Sequence, residues 1–191
     1  MVERRRGADL EHAILEAAWL ELVERGYAGL TMEAVAERSG TSRPVLARRW
    51  EGRAQLAIAA IRHQRGKHPL EVPDRGELRA ELLEFLERLS ARASGIAAAF
   101  TLLTSEYFSN AQSTPNDLRA ALMQGEVQPL SAILKRAVER GEVDRKRLTA
   151  PVTSLLSDLF RHHAIMNFSP PPLALRKAWV DTIFLPLVRA Q

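Results

Sequence analysis

The 191-residue chain contains no cysteine. That excludes a disulfide framework, a zinc site built on thiolates and a cysteine nucleophile. No apolar run approaches the ~18 residues that a membrane helix needs. Acidic and polar residues interrupt the sequence after Arg4, Arg5 and Arg6, so no signal peptide is expected and a cytoplasmic location is. Sustained apolar/polar alternation with β-branched enrichment is also missing, which argues against sheets. No internal repeat or low-complexity segment stands out.

The signatures of common enzymes are absent as well. There is no Gly-rich phosphate loop, no HExxH pattern and no GxSxG elbow, so no enzymatic activity and no cofactor are expected. The histidines (His12, His63, His68, His162, His163) are scattered, and His63 and His68 lie near a proline-rich stretch without an obvious acidic partner. Asp158 and His162 stand at i, i+4 and could share a metal, but they read as ordinary polar residues. His162 and His163 point ~100° apart on a helix and cannot chelate together. No metal is expected.

What is present is helical. An apolar fraction of 46% with 26% charged residues suits one compact domain, or a small domain joined to a larger one. Leu10, Ile14, Ala17, Ala18 and Leu22 share one side of a first helix that stops at Gly26. Thr31 can cap a second helix by accepting from Glu33 or Ala34, with Met32, Val35 and Ala36 facing inward. Ser39-Gly40-Thr41 breaks it. Ser42 caps a third helix, Pro44 fits its first turn, Leu46 and Trp50 anchor it, and Gly52 ends it.

A fourth helix runs over 53–67, and the PLEVP stretch at 69–73 marks a boundary. Further helices are expected over 77–94 and, beyond Gly95, over 97–109. A long one is expected from Thr114-Pro115 to Arg140, kinked at Pro129 and closed by Gly141. Thr149-Pro151 opens another to Phe168, and Pro170-Pro171-Pro172 precedes the last. The expected fold is all-α, with about nine helices.

Residues 31–56 are the most specific stretch. Helix, glycine turn and arginine-rich helix form the pattern of a helix-turn-helix. Asp9 to Glu37 holds seven acidic residues against Arg25, whereas Arg38 to Arg53 holds five arginines against Glu51. The net charge of +4 is therefore concentrated in the second half of the motif, as on a phosphate-binding surface. Arg43, Val45, Ala47, Arg48 and Arg49 face outward. Arginine's planar fork matches both guanine O6/N7 and phosphate oxygens. A second reading remains beside this one, in which the basic helical face binds an acidic protein or a membrane surface.

The stretch Ile14–Leu56 resembles the DNA-binding domain of the tetracycline-repressor (TetR) family of bacterial transcription regulators. Ile14, Ala17-Ala18, Gly26-Tyr27, Thr31, Val35-Ala36, Gly40, Thr41-Ser42, Leu46, Trp50, Arg53 and Leu56 carry the likeness without a gap over about a quarter of the chain. Arg140-Gly141-Glu142-Val143 is similar to a turn found before the family's last two helices.

The resemblance implies a DNA-binding domain over 1–56, joined through helix 53–67 to an effector-binding and dimerisation domain over 74–191. It also implies a homodimer that binds a palindromic double-stranded operator, usually as a repressor, and leaves it when a small molecule binds. Arg43 and Arg48 would then read base edges. Arg49, Arg53 and Thr31 would grip the backbone, with Thr41 and Ser42 near it. Ala47 stands where the family commonly has a phosphate-binding tyrosine, which moves that contact to Arg48 or Arg49. Trp50 replaces a phenylalanine and Arg53 a lysine.

In the C-terminal half, the last two helices carry broad apolar faces suited to a four-helix dimer interface. Val152, Leu155, Leu156, Leu159, Phe160 and Ile165 form one; Leu175, Trp179, Ile183, Phe184 and Leu187 form the other. Phe100, Leu103, Tyr107, Phe108, Met123, His162, Met166 and Trp179 are the candidates to line a pocket for a mainly apolar effector.

Overall fold

Apolar residues spaced three and four apart need a partner surface, and in the computed structural model most such stripes among the described residues are buried in one of two cores. Residues 7–103, 120 and 129–190 are described. Among them are nine α-helices, one 3₁₀ turn and no strand. The described residues 7–67 and 97–103 form one compact unit; 68–96 and 129–190 form another.

The first unit is built on α1 (Ala8–Gly29), α2 (Met32–Ser39), α3 (Arg43–Ala47) and α4 (Arg53–Lys67). The α1 stripe of Ile14, Ala17, Ala18 and Leu22 is buried with Val35 and Ala36 of α2, Leu46 of α3, and Leu56, Ala57, Ala60 and Ile61 of α4. Gly26, at φ 65, kinks α1, and helical hydrogen bonding resumes beyond it to Gly29. Gly26 therefore ends the helical run that opens at Ala8, as expected, and a short helical stretch follows it.

Helix α6 (Ala93–Leu103) takes Gly95 into its first turn, and the break from the preceding helix, which ends at Ser90, falls at 91–92 instead. Of the long helix expected to Arg140, residues 120 and 129–140 are described, and α7 covers Pro129–Glu139.

The second unit packs α5 (Leu78–Ser90), α7, α8 (Ala150–Asn167) and a last rod, α9, around Leu82, Phe85, Leu86, Ile133, Leu134, Leu156, Phe160, Val180 and Phe184. The rod α9 consists of Leu173–Ala178, a π-helical Trp179–Phe184 and Leu185–Val188. Pro186 has no N–H to give to the preceding turn, and the wider turn lies just before it.

The Arg140-Gly141-Glu142-Val143 turn ties this unit together. Gly141 takes φ 76, so the amides of Gly141 and Glu142 donate back to Val138 O (3.0 Å) and Ala137 O (2.9 Å) and close α7. The Glu142 carboxylate then accepts from Leu78 N (2.8 Å) at the start of α5. Val143 is buried, and Asp144 N donates to Val188 O (3.0 Å), which clamps the end of α9.

Arginine pairing sets an acid limit on this unit. Arg75 and Arg88 each approach the Glu84 carboxylate to 2.8 Å and hold its pKa down from the ordinary 4.5 to about 2. A lowered carboxylate pKa stabilises the fold above its unfolded value, and that stabilisation is lost as pH falls from 4.5 toward 2. In thermal melts across this window, Glu84→Gln should lose less stability than the parent chain. Parallel curves would show that the pairing is energetically silent.

Candidate nucleic-acid interface

The motif is assembled by local hydrogen bonds. Thr31 Oγ1 accepts from Ala34 N (3.1 Å) and caps α2, which leaves its own O–H proton available. Gly40 takes φ 69 and ψ 32, a left-handed conformation that a Cβ would strain. This lets Thr41 N reach Ala36 O (2.9 Å) and Gly40 N reach Glu37 O (3.1 Å), the bonding that closes a helix and redirects the chain at once. Ser39 Oγ adds a buried bond to Val35 O (2.7 Å).

Ser42 stands at the N-cap of α3, but its hydroxyl makes no capping bond. Its carbonyl alone takes the amides of Val45 (2.9 Å) and Leu46 (3.4 Å). The hydroxyl expected to cap the helix therefore faces outward.

Helix α3 is shorter than its pattern suggests. Regular structure ends at Ala47, and Arg49 N and Trp50 N both fold back onto Leu46 O (2.9 and 3.0 Å). Leu46 is fully buried and seats the helix, contributing about 2–3 kcal/mol. Trp50 packs half-buried beside it. Val45, expected to face outward, is half-buried and packs on the same core. Arg43, Ala47, Arg48, Arg49 and Arg53 are exposed, whereas Thr41 is half-buried.

The arginines differ in what they already hold. Arg38 is a brace between helices: it grips Glu21 (2.8 Å) and Glu24 (2.6 Å) on α1. The Arg38 hydrogen bond also keeps the Glu24 carboxyl below the usual carboxylate range. Arg43 pairs with Glu33 at 3.0 Å, both side chains lying largely in water. Arg49 reaches across to Glu11 at 2.7 Å. Arg53 lies 4.8 Å from the centroid of the Tyr27 ring, a contact worth about 0.5–1 kcal/mol at an exposed site. The Arg48 side chain holds no hydrogen bond or ion pair among the described residues.

Sequence spacing did not reveal the two acidic partners, Glu11 and Glu33. They matter because exposed pairs are worth only about 0–1 kcal/mol, so a phosphate can displace them. At the start of α4, Glu51 N donates to Gln55 Oε1 (3.0 Å) and Gln55 Nε2 to Glu51 Oε2 (3.2 Å).

The proposed pocket residues are not gathered in the same way. His162 and Met166 are exposed on α8, with Met166 at 65%, whereas Trp179 is buried in the core of the second unit. Trp179 meets His163, not His162, edge-on at 6.2 Å. Phe100 is half-buried in the first unit. Tyr107, Phe108, Met123 and the Leu103 side chain lie outside the described residues. Asp158 pairs with Arg161 at 2.6 Å, which accounts for it without a metal. His63 does have an acidic neighbour, Glu16 on α1, whose Oε1 lies 2.8 Å from its Nε2.

Similarity to known proteins agrees with this geometry. Residues 14–60 match the family described as bacterial regulatory proteins, tetR family, and residues 72–183 match the tetracyclin repressor-like C-terminal domain. The DNA-binding transcriptional repressor TetR of Mycobacteroides abscessus is 27% identical over 188 residues, covering 96% of each chain. An uncharacterized HTH-type transcriptional regulator of Mycobacterium tuberculosis is 30% identical over 172 residues, which span 86% of this chain and 81% of that one. Among solved structures, the fatty acid degradation regulator FadR from Bacillus halodurans shares the fold, with a TM-score of 0.64 at 14% identity over 97% of both chains. The chain belongs to the tetracycline-repressor (TetR) family and is a DNA-binding transcription regulator.

Proposed function

We propose that this protein is a repressor that binds a palindromic operator as a homodimer, with α3 of each subunit in successive major grooves. The observation that carries this reading is Arg48, exposed on a helix seated by buried Leu46 and holding no acidic partner among the described residues. In this reading Arg43 and Arg48 meet base edges. Arg49, Arg53 and the Thr31 and Ser42 hydroxyls hold phosphates, with Thr41, Val45 and Ala47 lining the approach. The abscessus relative is itself a repressor, which supports the sign of the effect.

Residues 1–56 serve as the DNA-binding part, helix 53–67 connects it, and 74–191 binds effector and dimerises. Exposed apolar side chains on the last helices support the dimer: Met166 (65%), Leu173 (51%), Ile183 (39%) and Leu187 (44%). A mainly apolar small molecule bound in the C-terminal part shifts the dimer to a state that no longer fits the operator.

Two measurements test this. Light scattering should give a dimer for the parent chain and a monomer for Leu187→Asp, with operator affinity falling in step. A monomeric parent that binds a half-site would refute the dimer. Glu11→Gln frees Arg49 and removes a negative charge from the DNA-facing surface, so it should tighten operator binding by about two- to fivefold at low salt. Weaker binding in an anisotropy titration would mean that Glu11 positions Arg49 rather than competing for it.

A further inference from the structure

Helices α1 and α4 bring three ligating side chains together. His12 and Glu16 are one turn apart on α1, and His63 comes from α4. One ligand atom from each lies within 4.8 Å of the others, and the two imidazoles meet edge-on with centroids 4.8 Å apart.

His63 Nε2 is the telling atom. It is buried and has no hydrogen-bond partner, although Glu16 Oε1 stands only 2.8 Å away. The carboxylate is close but outside the direction of a hydrogen bond. A buried imidazole nitrogen without a partner is costly in a core and natural in a coordination site. A cleft of about 440 Å³ bordered by Asp9, His12, Glu16 and Arg38 opens onto two of the three side chains, His12 and Glu16.

We propose that His12, Glu16 and His63 bind one divalent transition-metal ion of the Zn²⁺ class. Two imidazoles and a carboxylate suit Zn²⁺, whose bonds of about 2.0–2.2 Å leave a fourth position for water, and they do not suit Mg²⁺ or Ca²⁺. Coordination at those lengths requires the ligand atoms to close in from 4.8 Å, and exposed His12 can turn to do so. Glu16 Oε1 already accepts from Lys67 Nζ (2.5 Å) and Gln64 Nε2 (2.9 Å). The metal therefore displaces the Lys67 ammonium, which holds the carboxylate's place in its absence. The ion would staple α1 to α4 within the DNA-binding unit.

The test is a titration of untagged full-length protein with Zn²⁺ against a chromogenic chelator, with thermal melting in parallel. The expected result is one ion per chain and a raised melting temperature, with Mg²⁺ giving neither. His12→Ala and His63→Gln should each weaken binding about tenfold or more, and Lys67→Met should strengthen it by removing the competing cation. Circular dichroism of the metal-free variants separates lost ligation from lost folding. The double variant His162→Ala/His163→Ala should bind like the parent chain. Failure to bind, or binding unchanged by both His12→Ala and His63→Gln, overturns the proposal, as does unchanged or weaker binding by Lys67→Met.

Discussion

Replacing Arg136 with alanine is expected to destabilise the protein by about 3 kcal/mol and lower its melting temperature by about 6–12 °C. The cause is Glu81, a carboxylate on α5 with no exposed surface. Arg136 Nη2 donates to Glu81 Oε2 (2.7 Å) and also to Val72 O (3.0 Å). Arg140 and the Arg75 amide hold the other oxygen, each at 3.1 Å. Deleting Arg136 strands one buried carboxylate oxygen and one backbone carbonyl at once.

The double variant Arg136→Met/Glu81→Met should recover part of the loss, because the buried carboxylate leaves with its partner, while Val72 O and Arg75 N stay unpaired. Arg140 survives that change, since Asp74 (2.9 Å) and Glu142 (2.6 Å) still hold it. Additive destabilisation in the double variant would show that the two side chains act independently.

The second large effect is on DNA. Arg48→Ala should weaken operator binding by about 2–6 kcal/mol, because a base-edge contact is worth roughly 1–3 kcal/mol and a dimer loses two. That is at least about 30-fold. Arg43→Ala should cost less, since Arg43 must first leave Glu33 (3.0 Å) to reach a base. Both should relax sequence preference at the position they read. Arg53→Ala should instead weaken all sequences alike and flatten the salt dependence. Band shifts against single-base operator variants, at two salt concentrations, distinguish the classes. Equal losses on every sequence from Arg48→Ala would move that side chain to the phosphates.

Much of the fold was readable from local signals. Thr31, Gly40 and Gly141 act through bonds only a few residues long, so their spacing carries the information. The stripe Ile14, Ala17, Ala18, Leu22 states its buried face outright. Other features depend on how helices meet. Gly95 reads as a break, but the break falls a few residues earlier, at 91–92, and Gly95 lies in the first turn of α6. Nothing near Arg49 in sequence predicts Glu11, and nothing near His63 predicts Glu16, because both partners come from α1. The outward face of α3 was legible except at Val45, whose burial depends on the core beneath it. The second core was less legible: Leu156, Phe160, Trp179 and Phe184, read as parts of a dimer face, are buried in it, and the spacing did not say which of His162, Met166 and Trp179 would be exposed.

The central claim is that the exposed arginine face of α3 binds operator DNA, and footprinting of the DNA flanking this protein's own coding region tests it most directly. The account predicts a protected palindrome with half-sites about 34–36 Å apart or a multiple of that. It also predicts that Arg48→Ala abolishes the protection at equal protein concentration. A footprint that Arg48→Ala leaves intact, or the absence of any protected palindrome, would contradict it.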